Sequence, residues 1–391
     1  MKILIVNHYY ATHGGGIEQV IRQLLHSLRD VAPDLAFTWA ASDCDASHDG
    51  PNFVCLPMRC NNAIERRCGV PQPLWYPQAL RQLAAAIKQH DVIWLHDTLY
   101  MGNIAAYLIA KWQRKPIVIT QHIGMIPYNS RTLRTLLRLG NRLVAVPMLK
   151  YANHSVFIAA QVRTYFNDRI KHWRNKPRLI HNGVNHAIFK PVTADRRLVL
   201  RQKFGIDEEP MLLFVGRFVA KKGLPILEKL TLALPEYAWV FAGRGSLDPA
   251  GWLRNNCMTI RDRNGAGVAE LYQAADLLVL PSIGEGLPLV IQEAAACGLP
   301  VLCATETATA DPRLTPLLYT AAVVAHDPES TSYNWAAQLR SIVADTDDRA
   351  VRSGALAALA AEHWSWSRAA ERYVKLFRRL SPPPSQTAVQ P

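Results

Sequence analysis

The sequence predicts an α/β protein of two domains, each a parallel sheet covered by helices on both faces. Three observations predict it. A chain of 391 residues exceeds what one hydrophobic core usually supports. Short apolar runs rich in β-branched residues alternate with helical stretches, as in strands buried on both faces. The alternation stops near "NGVNHAIFKPVTADRR" and restarts at Met211, which places the junction around residues 183–195.

In chain order, "MKILIVNHYY" has its apolar run at Ile3 to Val6, too short for a signal-peptide core and suited to a first buried strand. Gly14 and Gly15 precede, and Gly16 opens, "GIEQVIRQLLHSLRD", where Val20, Leu24, Leu25 and Leu28 share one helix face. "DVIWLHD", "PIVITQH", "SVFIAA" and "RLIHNG" read as the following strands of the first half, and "MLLFVGR", "AWVFAGR", "DLLVLPS" and "PVLCAT" as strands of the second. The closing "SPPPSQTAVQP" reads as a frayed tail. Ligands of open parallel sheets bind beyond the strand C-termini. Chemistry is therefore sought at those ends.

Composition narrows the class. Hydrophobic residues at 49% and charged residues at 19% describe a globular chain, not a disordered one. No apolar run approaches the roughly 18 residues of a membrane span. Seven cysteines without C-x-x-C or zinc-type spacing suggest reduced thiols in a cytosol, with Cys297 and Cys303 as small core residues. The net charge of +13 is unevenly placed: residues 1–185 hold 22 Lys+Arg against 10 Asp+Glu, and residues 186–391 hold 22 against 21. Within 111–178 there are 14 basic residues and one acid, Asp168. Such a field favours a polyanionic partner. Nucleic acid is disfavoured, because no RNA-module signature or interleaving of basic and aromatic residues is present.

The stretch "PSIGEGLPLVIQEAAACGLPVLC" sets Glu285 and Glu293 among apolar residues, where an ionised carboxylate needs a partner. Glu285 falls in the loop after a strand, Pro288 in the first turn of the next helix, and Glu293 further along it, placed to meet vicinal hydroxyls. In "LLFVGRFVAKKG", Arg217 and Lys222 leave another strand end as a planar fork beside a point charge, a fit for a diphosphate. The three glycines before the first helix either admit a phosphate to its N-terminus or form a plain tight turn.

These segments resemble the retaining glycosyltransferases of family 4, which have the GT-B fold. "EGLPLVIQEAAACGLPV" is similar to the family's E-x7-E signature, "GRFVAKKG" to its G-R-x-x-x-x-K-G segment, and "IHNGVN" to its N-G-V-D strand end. "HWSWSRAAERYVKLF" looks like the family's tryptophan-containing segment and final helix. The resemblance implies an N-terminal acceptor-binding Rossmann-like domain over 1–185 and a C-terminal donor-binding one over 186–365, facing each other across a cleft. It further implies a helix over 366–382 returning to the N-terminal domain, with 383–391 a disordered tail.

For the site, the resemblance implies Glu293 on the donor ribose and Glu285 on the transferred sugar near its C3 and C4 hydroxyls. Arg217 and Lys222 hold the diphosphate, and His122, in "VITQHIG", lies near the C6 hydroxyl. Gly15 and Gly16 form the glycine loop contacting donor phosphate or acceptor, and Gly243, Gly286 and Leu287 complete the donor set. His96, in "WLHD", stands at a similar strand end. No cofactor and no metal are implied. The D-x-D pairs Asp43/Asp45 and Asp345/Asp347 lie away from these motifs and read as loop or surface acids. Two departures bear on donor choice: "TATADPR" replaces the usual G-G-x-P-E, and Arg244 stands where many relatives carry Asp. A nucleotide-sugar epimerase of the same fold is the alternative enzyme, although no acid/base set for a sugar ring is found. A basic nucleic-acid-binding protein is the non-enzymatic one.

In "SRTLRTLLRLGNRLVAV", Arg131, Arg134, Arg138 and Arg142 fall within an arc of about 80° at about 100° per residue. Leu133, Leu136, Leu137, Leu143 and Val144 lie opposite. Either the leucines enter an anionic membrane, or they pack on the core and the arginines face lipid phosphates or water. The reading for the whole chain is a cytoplasmic enzyme, peripheral on the inner face of the membrane, using a nucleotide sugar and a glycan or lipid-linked acceptor.

Overall fold

A computed structural model of the chain describes residues 1–380 apart from 126–129, 262, 264 and 325. The first sheet has seven strands, all parallel, in the spatial order Phe53–Met58, Ala36–Ser42, Lys2–Val6, Val92–His96, Ile117–Gln121, His154–Phe157, Arg178–Leu179. Along Lys2–Val6 the side chains alternate between two cores, Ile3 and Ile5 in one and Leu4 and Val6 in the other. The Gly16–Val31 helix covers the first of these with Val20, Ile21, Leu24, Leu25 and Leu28. Beside it lies the Trp366–Arg378 helix, from the far end of the chain, whose Tyr373 and Phe377 pack on Trp94. Tyr373 also shares a 3.0 Å hydrogen bond with the Thr120 hydroxyl. Helices Pro77–Gln89, Met101–Trp112 and Val146–Tyr151 contribute to the second core.

The second sheet has six parallel strands in the order Cys257–Ile260, Ala238–Ala242, Met211–Val215, Leu277–Leu280, Val301–Ala304, Tyr319–Ala321. The four central ones follow the apolar runs of the sequence. The sequence reading passed over Ala36–Ser42, Phe53–Met58, Cys257–Ile260 and Tyr319–Ala321. Phe53–Met58 and the two outer strands of the second sheet lie at edges and are partly exposed, so they carry no continuous apolar run. Ala36–Ser42 is buried, but its Ala, Thr and Ser residues mask the pattern. Residues 381–391, where a frayed tail is expected, lie outside the described residues.

Two chain segments pass side by side at the junction. The Val184 N–H donates to Trp364 O at 3.1 Å, Val184 and Ser365 form a parallel bridge, and the His186 ring meets Trp364 O at 2.8 Å. A Cβ on Gly183 would lie 2.2 Å from the backbone nitrogen of Trp366. Only a glycine permits this backbone-on-backbone approach. We expect Gly183→Ala to cost about 1–3 kcal/mol through forced displacement. Gly354→Ala, in the Thr346–His363 helix with open space around it, should instead gain about 0.5–1 kcal/mol. Urea unfolding of both variants checks the opposite signs; equal midpoints would show that the junction yields freely.

Candidate active site

The second sheet brings Glu285 and Lys222 together. Residues 220–222 form a single 3-10 turn after the Met211–Val215 strand, and Gly223 follows at φ +83°. This turn lies against the loop beyond Leu277–Leu280: the Ile283 N–H donates to Lys221 O at 3.2 Å, and a Cβ on Gly223 would sit 2.5 Å from Pro281 O. Lys222 Nζ is 3.0 Å from Glu285 Oε1, and Lys221 Nζ is 3.8 Å from the same oxygen. Burial pushes the Glu285 carboxyl up, but the two lysines outweigh it and hold the group below its ordinary range. That supplies the partner the sequence demanded for Glu285. For Glu293 the partner is the Tyr272 hydroxyl at 3.1 Å, and burial pushes this carboxyl up to about 7. Arg217 is exposed at the strand end, and its charge bears on Glu285, Glu18 and His8. Gly243 ends the neighbouring strand, where a Cβ would lie 1.9 Å from Gly216 O. Leu287 is buried in the core beside the loop.

The first sheet contributes histidines and carboxylates. His122 follows Ile117–Gln121, and its backbone N–H donates to Asp97 Oδ1 at 2.7 Å. Its ring Nε2 lies 3.0 Å from His96 Nδ1, and burial pushes it down to about 3. Asp97 has φ +65°, an uncommon conformation for a residue with a Cβ; Asn103 Nδ2 holds it by bonding the carbonyls of His96 and Asp97. At the glycine loop, Gly15 is the N-cap of the first helix, and a Cβ there would meet Glu18 Oε2 at 2.1 Å. Glu18 therefore lays its carboxyl over its own helix start. Around Gly16 a Cβ would meet nothing within 4 Å. Glu18 Oε1 is 3.0 Å from His8 Nε2, and the His8 ring stacks on Tyr100 with centroids 3.6 Å apart. Burial raises Glu18 to about 7 and lowers His8.

The two halves touch at these groups. A Cβ on Gly286 would lie 2.5 Å from His122 O, so the Glu285 loop rests directly on the His122 backbone. Gln292 Nε2 donates to Asn182 O at 2.8 Å, and the Ala160 N–H to Ala310 O at 2.8 Å. Asp311, in the "TATADPR" segment, lies 3.4 Å from His181 and 2.6 Å from Arg313.

Asp345 and Asp347 stand at the start of the Thr346–His363 helix, whereas Asp45 reaches His13 beside the glycine loop. Asp45 pairs with His13 at 2.8 Å, Asp43 accepts from the Cys60 N–H at 3.0 Å, and Asp345 caps the Thr346–His363 helix. Among the described residues no group of three or more His, Cys, Asp or Glu is arranged to hold a metal.

The arginine stripe is elsewhere on the surface. No residue of the Arg131–Gly140 helix is buried, and Arg131, Arg138 and Arg142 are exposed with Arg134 partly so. Of the apolar residues opposite the stripe, Leu133, Leu136 and Leu143 are exposed, Leu137 is half-buried, and Val144 packs against the core, so most of the leucines do not pack on the core. A π-helical segment, Asn141–Ala145, joins this helix to Val146–Tyr151, and there Asn141 and Ala145 turn inward.

Sequence reasoning missed Glu18, His8, Asp97 and Lys221. Lys221 and Asp97 adjoin Lys222 and His96, both singled out from the sequence, whereas Glu18 and His8 have no such neighbour. None had a partner visible in one dimension.

Two all-parallel α/β halves meeting at such strand-end loops define a two-domain architecture whose ligand-binding loops converge at the junction. The model for glycosyltransferase family 4 matches residues 14–188, and that for group 1 glycosyl transferases matches residues 209–344. The D-inositol 3-phosphate glycosyltransferase of Xylanimonas cellulosilytica is 32% identical over 75% of this chain and 72% of its own length. An uncharacterised glycosyltransferase of Methanocaldococcus jannaschii is also 32% identical, over 64% of this chain, which spans 63% of that protein. The structure of Anabaena HepE in complex with UDP shares the fold, with a TM-score of 0.72 over 97% of this chain and 100% of that one at 17% identity. The chain belongs to the group 1 glycosyl transferases of family 4.

The Glu293 carboxyl yields a sign-definite prediction. Its pKa near 7 in the fold exceeds its ordinary 4.5. The protonated form therefore favours the fold: the contribution is complete below about 4.5 and is lost as pH rises through about 7. Glu293→Gln removes this titration, whereas Glu18 and Asp97 titrate alike in both proteins. The stability of the variant relative to wild type should rise between pH 5 and pH 8 by more than about 1 kcal/mol, read from urea unfolding at each pH. A constant difference would mean that Glu293 titrates as an ordinary carboxylate.

Proposed function

We propose that the chain is a retaining, metal-independent hexosyltransferase. It moves a hexose from a nucleotide-diphosphate sugar to an envelope glycan, a lipid-linked sugar or an exopolysaccharide intermediate. The observation that carries this reading is the meeting of the Lys222–Glu285 pair with the His122 backbone across Gly286. A cation for departing phosphate and a carboxylate for sugar hydroxyls thereby stand against a histidine of the other half. Arg217 and Lys222 take the diphosphate and stabilise its growing charge, as preorganised donors do. Glu285, kept ionised by the lysines, accepts from hydroxyls of the transferred sugar. Glu293 accepts from the ribose, and His122 lies near the C6 hydroxyl. Gly15, Gly16, Gly243, Gly286 and Leu287 shape the donor site. With no carboxylate assigned as a covalent nucleophile, retention follows from front-face attack within an ion pair.

A membrane-bound acceptor is supported by the outer surface of the first half. Leu136 is 64% and Leu143 62% exposed, beside the arginine stripe. The Met101–Trp112 helix exposes Met101, Leu108 and Trp112 at helical spacing, Trp112 being 82% accessible. Lys111 of that helix donates to Tyr151 O at 2.5 Å, tying it to the end of Val146–Tyr151. Exposed apolar stripes ringed by cations suit an anionic bilayer surface. No helix among the described residues is long and apolar enough to cross a membrane. The reading is a cytoplasmic protein docked peripherally.

Turnover with uridine, guanosine and adenosine diphosphate sugars tests the reading, with the product's anomeric proton signal read by NMR. An α-linked donor should give an α-linked product; a β-linked product would overturn retention. Arg217→Ala and Lys222→Ala should each lower kcat by about 10²-fold or more while the protein stays folded. Wild-type turnover in both would remove the diphosphate assignment.

Liposome flotation tests the docking. Wild type should float with anionic vesicles and lose them as salt rises, since charges are screened beyond about 8 Å at physiological salt. Replacing Arg131, Arg134, Arg138 and Arg142 with Gln should weaken binding by at most about 4 kcal/mol, at about 1 kcal/mol each. Equal flotation of both proteins would reduce the stripe to a solvated face.

A further inference from the structure

His96 ends the Val92–His96 strand, is wholly buried, and its ring Nδ1 hydrogen-bonds the His122 ring. The two rings are 5.2 Å apart and inclined by 28°, with His96 Nδ1 3.0 Å from His122 Nε2. Burial keeps both imidazoles neutral at ordinary pH, so the contact contains one proton, and two arrangements satisfy it. In the first, His122 donates from Nε2. His96 must then carry its own proton on Nε2, a buried nitrogen with no hydrogen-bond partner among the described residues. In the second, His96 donates from Nδ1, its Nε2 is a bare lone pair, and His122 carries its proton on Nδ1. A sealed N–H with no acceptor is the rarer defect in proteins, which favours the second.

We propose that His96 is a positioning residue that holds His122 in its Nδ1–H tautomer, so that His122 offers a ligand oxygen a hydrogen-bond donor and not an acceptor. The backbone supports the same end. Asp97 Oδ1 accepts the His122 N–H at 2.7 Å, and with Nε2 taken by His96 the remaining ring nitrogen is Nδ1. The Trp94 ring lies 4.7 Å from His96 and is itself fixed by donating from Nε1 to the Thr120 hydroxyl at 2.9 Å. His96 is thus packed in place with its Nδ1 toward His122. A neutral donor suits a sugar hydroxyl or ring oxygen. The identity of a neutral imidazole is set by what its other nitrogen meets.

The proposal rests on the reading that His122 faces the transferred sugar, yet the tautomer belongs to the free protein and is measured without substrate. Nitrogen-15 NMR of protein labelled at histidine, with the His122 signals assigned by their loss in His122→Gln, should show the proton on Nδ1. A majority population protonated at Nε2 would overturn the proposal, whatever the enzyme transfers. In turnover, His96→Asn keeps an N–H where Nδ1 stood and should retain kcat within about threefold. His96→Leu should lose about tenfold or more, with a smaller change in KM for the donor, as expected when an oriented donor is lost. Equal losses in both variants, or wild-type turnover in His96→Leu, would also overturn it. Should His96→Leu not fold, the wild-type spectrum and the Asn variant decide.

Discussion

The ion pair between Lys222 and Glu285 governs the arrangement of the cleft. A carboxylate in an apolar loop is costly to bury alone, and it stays ionised here because an ammonium group lies 3.0 Å away. Meeting that requirement brings the 3-10 turn after one strand onto the loop after another, with Gly223 against Pro281. The loop so placed continues into Gly286, which rests on the His122 carbonyl. Removing either charge would strand the other in a low-dielectric setting, a larger cost than the net worth of the pair.

Around this contact the titratable groups are shifted in opposite senses. Glu18, Asp97 and Glu293 are each raised to about 7 by burial, and His8, His96 and His122 are lowered. Perturbed groups of this kind concentrate where ligands are bound. Glu18, in the first turn of the Gly16–Val31 helix, and Asp97, just after the Val92–His96 strand, are buried beside His8 and His122, whereas the arginines of 131–142 sit on a helix with exposed leucines.

The fold was largely legible because most inner strands are buried on both faces and so are written as unbroken apolar runs, Ala36–Ser42 being an exception. Edge strands such as Cys257–Ile260 are half exposed and left no such mark. Glu285 and Glu293 stood out because their setting is apolar, and Arg217 and Lys222 because they follow a strand directly. Glu18 was not legible, since one glutamate at the start of a helix is commonplace; its meaning lies in a buried contact with His8 and in covering Gly15.

By itself the sequence determined the two parallel sheets, the strand ends that carry chemistry and the need of Glu285 for a cation. Periodicity, burial and charge are local properties, written residue by residue. Only the tertiary structure decided that the cation is Lys222, that Tyr272 answers Glu293, that His96 stands behind His122, and that Leu133, Leu136 and Leu143 face outward. Each of these depends on which loop ends converge when the sheets form and the two halves meet. Pairings between residues 26 to 164 positions apart, such as His96–His122 and Gly286–His122, have no signature in spacing along the chain.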